Sequence, residues 1–123
     1  MGIVDAARAA QRAARASHGV DVLYRRGDLS VQVKATRGKS DVAVDSQYGA
    51  ILINRVRDWL IDADALVLGG EQVEPERGDI IEVPEGNTVW RYEVEEIPTG
   101  EWFRYSGPGR ETLRIHTSFD GEA

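Results

Sequence analysis

The triplet Arg-Gly-Asp occurs twice in this chain, as Arg26-Gly27-Asp28 within RRGDLS and as Arg77-Gly78-Asp79 within PERGDII. An adhesion ligand would present that arginine and aspartate to a receptor as a cation and an anion. Both copies, however, fall where a run of alternating residues reverses or begins. Glycine there supplies the positive φ of a tight turn, and aspartate can bond the neighbouring backbone. Gly27, Asp28, Gly78 and Asp79 are therefore expected to be turn residues, since a three-letter motif arises often by chance.

Other chemistry-bearing residues reduce in the same way. Gly38-Lys39-Ser40 is similar to the end of a phosphate-binding loop, but Val33 stands where the first glycine is required. Asp62 and Asp64 form a D-x-D pair that could hold a hard cation, yet such a pair after a strand more often caps a helical turn. His18 and His116 have no joint ligating spacing, and His116 falls on the polar phase of a strand beside Arg114, as a surface or interface histidine would. Glu93, Glu95 and Glu96 read as an exposed acidic edge that discourages sheet-to-sheet association. With no cysteine and no G-x-S-x-G elbow, thiolate metal sites and the familiar nucleophile arrangements drop out. No catalytic residue, cofactor site or metal site is expected.

The elements that carry these residues are mostly strands. Leu29, Val31, Val33 and Ala35 alternate with Ser30, Gln32, Lys34 and Thr36, and Val20, Val22 and Tyr24 suggest a partner strand before them. Gly38-Lys39-Ser40 makes the next turn, ahead of Val42 and Val44. Ala50 to Ile61 reads as a long bent strand whose faces exchange at a bulge, because β-branched residues dominate its beginning. A short helical turn is expected near residues 62–66, followed by a turn at Gly69-Gly70. Asp79 to Val83 is a short strand turned back by Pro84-Glu85-Gly86-Asn87, and Trp90, Tyr92 and Val94 alternate cleanly after it. The last strand puts Leu113, Ile115, Thr117 and Phe119 on one face, with Arg114, His116 and Ser118 on the other. Between these two runs a loop from Pro98 to Arg110 carries Trp102, Phe103 and Tyr105, either as a lid on the core or as anchors for a partner. Many short strands punctuated by glycine turns indicate a mainly β fold, a small antiparallel barrel or sandwich.

An alanine-rich N-terminal α-helix precedes this unit, giving an arm over residues 1–19 and a single barrel-like domain over 20–123. Arg8, Arg12 and Arg15 share one face of the helix at i, i+4 and i+7. That face is either solvated on a helix lying against its own domain, or a docking surface that orders on a partner.

At 123 residues the chain suits one domain with a modest core. Its 41% hydrophobic and 29% charged content excludes a disordered tail, and no apolar run approaches the length of a membrane-spanning helix. The N-terminus lacks the apolar centre of a secretory signal, so the expected place of synthesis is the cytoplasm. The net charge of −6 is uneven: residues 1–19 carry +2, and the remainder −8. An acidic body repels phosphate, so tight wrapping of nucleic acid is excluded and a protein partner is expected.

Taken together, several stretches resemble small tailed-phage neck proteins, the head-completion or head-tail joining group, also called stoppers or head-closure proteins. They are YRRGDLSVQVKATRGKSD, Tyr48-Gly49, Asp58-Trp59-Leu60-Ile61, VEPERGDIIE, WRYEVEEI and WFRYSGPGRETLRIHTS. The resemblance runs from Tyr24 to Ser118, leaving the N-terminal helix outside it. It implies a compact β-barrel-like subunit, built in the host cytoplasm and resident in the virion neck. There it would assemble with copies of itself as a ring under the portal or its adaptor. Such a ring closes the filled head, offers the tail proteins a platform, and lets packaged DNA pass without sequence-specific binding. Arg8, Arg12, Arg15, Trp102, Phe103 and Tyr105 are the expected partner-interface residues. The alternatives are a tail-end completion ring and a monomeric β-barrel binding module.

Overall fold

The computed structural model describes residues 19–38 and 56–122. The expected N-terminal helix lies outside these residues, as do the turn at Lys39-Ser40, the Val42–Val44 run and the start of the Ala50–Ile61 strand. Among the described residues there is no α-helix.

Alternation of apolar and polar residues produces the first hairpin. Strand β1 (Val20–Arg26) pairs antiparallel with β2 (Leu29–Gly38) along its whole length, Val20 opposite Ala35 and Arg26 opposite Leu29. Gly27, at φ 58, occupies the first of the two turn positions, where a side chain would be strained. Strand β3 (Val56–Asp62) follows on the other side of β2, with Trp59 and Ile61 fully buried. A single 3-10 turn, Ala63–Ala65, stands where the helical turn was expected. Asp62 sits at its N-cap position but makes no side-chain capping bond there, contrary to expectation. Gly69-Gly70 then reverses a two-stranded ribbon that the alternation did not reveal, β4 (Val67–Leu68) with β5 (Glu71–Gln72).

Strand β6 (Ile80–Glu85) runs through Pro84, which had been expected to end it, and the turn is confined to Gly86-Asn87 before β7 (Thr88–Val94). Proline has no N–H for a ladder and survives in strands only where one edge is unpaired. That condition holds, because β1 pairs with β6 only from Ile80 to Glu82. The expected aromatic loop also contains a strand, β8 (Phe103–Ser106), which is short and so leaves little alternation to detect. Last comes β9 (Thr112–Glu122), with Asp120 left over in a bulge between the Tyr92–Phe119 and Arg91–Gly121 pairs.

Six strands close into an antiparallel barrel in the order β3, β2, β1, β6, β7, β9, with β9 returning to β3. On its other edge β9 pairs with β8 at its beginning and with β7 further along. The lumen is filled by Val22, Tyr24, Val33, Ala35, Trp59, Ile61, Ile81, Val83, Tyr92, Val94, Leu113 and Ile115. At the end where β1 meets β2 and β9 begins, Leu66 and Leu68 add a plug to that core. The opposite mouth is formed by the starts of β1, β3 and β7 and the ends of β2, β6 and β9. There Trp59 meets Tyr92 edge-on at 5.2 Å, and Tyr92 meets Phe119 at 5.5 Å.

Candidate functional site: assembly surfaces at the two barrel ends

At the plugged end the two RGD triplets meet. Arg26, from the first, donates from Nε to Asp79 Oδ1 at 3.0 Å and from Nη2 to Asp79 Oδ2 at 2.9 Å, Asp79 belonging to the second. Asp79 is 3% exposed, and its carboxylate also accepts from the Tyr24 hydroxyl and from the Glu76 backbone N–H at 2.9 Å. Burial, then the bond to Asp79, push the Tyr24 phenol well above its ordinary range. The bond to Asp79 holds the Arg26 guanidinium more firmly protonated than usual. Gly78, at φ 92, gives the bend that lets the Asp79 N–H bond back to the Glu76 carbonyl at 3.1 Å. Asp28 is exposed in its turn. Gly27 and Asp28 form one turn, Arg77 and Gly78 the other, and an Asp79 enclosed in this way presents no anion to a receptor.

The aromatic segment lies alongside. Trp102 and Phe103 are 6.0 Å apart and Phe103 and Tyr105 5.9 Å apart, all three half-buried against the core. Trp102 Nε1 donates to the Pro75 carbonyl at 2.9 Å, and the Tyr105 hydroxyl donates to Glu74 Oε2 at 2.7 Å. That bond to Glu74 raises the Tyr105 phenol above its ordinary range. Arg77 lies over the Trp102 ring at 5.1 Å, and Arg110 over Tyr105 at 4.2 Å. These rings close the barrel end while keeping their outer edges at the surface. The lid and the contact roles are therefore compatible on the same side chains.

His116 departs from expectation. It is 1% exposed, with Nδ1 2.8 Å from Asp58 Oδ1. An ionised carboxylate only accepts, so Nδ1 carries the proton in that bond. Nε2 lies 3.7 Å from Glu101 Oε2 without a hydrogen bond. The chain between β7 and β8 runs past it: His116 N–H donates to the Trp102 carbonyl, and its own carbonyl accepts from Glu95 N–H. Period-two alternation assigns a side chain to a face but does not reveal what lies over that face. Arg114 shares the site, donating to Asp58 Oδ2 at 3.0 Å.

The acidic edge also differs. Glu93 is half-buried on β7, an interior strand of the sheet, and its bond with Glu95 raises its carboxyl above the ordinary range. Glu96 pairs with Arg77 at 3.2 Å. Among the described residues, no three His, Asp or Glu side chains gather as metal ligands would. Arg8, Arg12, Arg15 and His18 fall outside the described residues.

The opposite mouth carries a surface that the alternation pattern did not single out. Val20 and Phe119 are 45% and 48% exposed, and half-buried Trp90 tilts onto Phe119 at 5.6 Å. Phe119 shares the inward phase of β9, but at the end of the strand the interior no longer covers it. The legible signal was an aromatic residue placed at the tip of an otherwise core-facing series.

The barrel is thus filled, with apolar residues exposed at its mouth, and the chain as a whole matches a known family. Residues 1–122 match the model of the phage head-tail joining protein family. The chain belongs to that family. The match takes in residues 1–18, which the resemblance seen in the sequence left outside. No curated protein and no solved structure matches this head-tail joining protein. The family is a structural one of phage particles, which gives the protein a part in joining head to tail. Among its described residues, no helix is long and apolar enough to cross a membrane.

Proposed function

We propose that several copies of this head-tail joining protein form a ring in the virion neck, between the portal or its adaptor and the tail. In this role the ring closes the filled head and gives the tail its platform, working by assembly and not by catalysis. The observation that carries this reading is the filled lumen. Trp59, Tyr24, Tyr92 and their neighbours occupy the barrel interior, so a single subunit offers DNA no passage. A conduit for DNA therefore has to be built between copies around a shared axis. The body's charge of −8 suits such a conduit, because acidic walls do not hold phosphate.

In the same reading residues 20–123 form the ring-building unit and residues 1–19 a docking arm. Arg8, Arg12 and Arg15 engage a neighbour, and the outer edges of Trp102, Phe103 and Tyr105 contribute a second contact surface. The test is deletion of the gene followed by electron microscopy of lysates. Filled or leaking heads lying apart from finished tails are expected. Normal infectious particles would overturn the proposal, and heads bearing unfinished tails would move the ring to the tail end. Replacing Arg8, Arg12 and Arg15 with glutamate is expected to lower particle yield while the far-ultraviolet spectrum of the barrel stays unchanged. An unchanged yield would remove the arm from the interface.

A further inference from the structure

We propose that the open seam between β1 and β6 at the barrel mouth receives an extended, carboxylate-bearing segment of an adjoining neck protein, added as an extra strand. This rests on the neck assignment above.

Three observations point there. Every residue of β1 pairs with β2, but only Leu23, Tyr24 and Arg25 pair with β6, so among the described residues Val20–Val22 keep one free edge. Facing them, Val83–Glu85 of β6 pair with β7 alone, and Pro84 has no N–H to offer β1. Strand edges left unpaired leave backbone groups ready to take another strand.

The seam also has room on both sides. A cavity of about 280 Å³ opens beside it, lined by Val22, Pro84 and Val89 among others, and by Asp21 and Glu82, which are already paired with Lys34 and Arg25. A second cavity of about 520 Å³ is bounded by Val20, Arg37, Trp59, Val83, Pro84 and Glu85, among others. Apolar residues dominate the seam itself, which suits a strand with apolar side chains at alternate positions.

The third observation sets the charge of the occupant. Trp59 is fully buried, and among the described residues its indole N–H has no hydrogen-bond acceptor. A buried donor left unpaired is costly and rare in a native interior. Arg37 lies over the same ring at 5.5 Å, exposed and without a carboxylate partner among the described residues. Arg37 and Trp59 both line this cavity, and together they call for an acceptor. A carboxylate entering as Arg37 lifts from the ring would satisfy both, with a charge-assisted bond to the guanidinium. Glu85 stands on the other wall, so the carboxylate seats toward β2 and β3.

The experiment uses the full chain and two probes, an acetylated peptide alternating valine with glutamate and its valine–lysine counterpart. The Trp59 indole resonance, one of three tryptophan signals, is followed by NMR during each titration. Saturable movement with the glutamate peptide alone is expected, weakened about tenfold by Arg37→Gln and tightened by Glu85→Gln. No movement, or equal movement with both peptides, would overturn the proposal. In particles, a benzophenone carried on V20C, in a chain with no other cysteine, is expected to cross-link to an acidic, extended segment of another neck protein. Cross-links confined to copies of this chain, in particles that contain it, would overturn the seam proposal and leave the neck assignment standing. Particles lacking the protein would refute the neck assignment, and the peptide titration would then decide the seam.

Discussion

Asp79 and Asp28 occupy the same place in two identical triplets and have opposite surroundings. Asp79 is enclosed with Tyr24, Arg26 and the Glu76 N–H, whereas Asp28 is exposed. Removing one partner of a buried charged pair leaves the other unpaired in a poorly solvated site. Asp79→Ala is therefore expected to cost about 3 kcal/mol in urea unfolding, and Asp28→Ala less than about 0.5. Equal losses would show that the enclosed network does not stabilise the fold. Glu93 makes a pH-dependent prediction. Its carboxyl is raised by the bond with Glu95, by burial, and by the charges of Glu95 and Asp120, with Arg91 opposing. The folded state thus holds that proton more tightly than the unfolded chain does. The favourable contribution is complete below the ordinary glutamate range and disappears as pH rises through the raised value. Glu93→Gln is accordingly expected to raise the melting temperature at pH 7 and to change it little at pH 3.5. A stabilisation equal at both pH values would contradict this. Sequence alone read both aspartates as turn residues. It had no means of seeing that fifty residues of chain return Asp79 to Arg26, nor that the 95–102 connection covers His116.

Strands legible from alternation were those long enough to show it. β1, β2, β7 and β9 each run seven residues or more and follow the expected faces through most of their length. β8, four residues long, and the two-residue strands β4 and β5 leave too few positions for a period to register. Pro84 was read as a stop because proline ends strands that are paired on both edges. Its survival inside β6 depends on the local gap beside β1, a tertiary fact. The β1–β2 hairpin gives the element-scale prediction. An added Cβ at Gly27 would meet no atom within 4 Å, so any cost of Gly27→Ala comes from its φ of 58 alone. A loss of about 1 kcal/mol is expected from thermal unfolding, and no loss would mean that the turn relaxes without strain. Gly38 differs: a Cβ there would lie 2.7 Å from the Arg114 guanidinium and 3.2 Å from Asp58 Cβ. Gly38→Ala is expected to shift Arg114 and to lower stability through the Asp58 site.

At the scale of the molecule, a mainly β barrel was legible because glycine turns and short strands recur along the chain. Closure through β3 and β9 was not, since no local pattern encodes a pairing between residues sixty apart in sequence. The proposed ring makes a prediction at this scale. Native mass spectrometry of the purified chain, alone and with its portal or adaptor, is expected to show a closed oligomer in at least one of the two conditions. A single subunit in both would favour the monomeric binding module instead. The N-terminal residues fall within the family match, so truncating residues 1–19 is expected to leave the barrel folded and to reduce assembly.

β9 touches three other strands, β3 along one edge and β7 and β8 along the other, and it comes last among the described strands. A nascent chain without it has two raw sheet edges and a gutter of uncovered tryptophan, tyrosine and isoleucine. A chain is therefore adhesive until the residues from Thr112 to Glu122 are in place, and a stop codon ahead of Thr112 should yield inclusion bodies rather than a shorter soluble subunit. The closing stave thus doubles as an inspection step: a polypeptide stopped short of it is not expected to enter a particle.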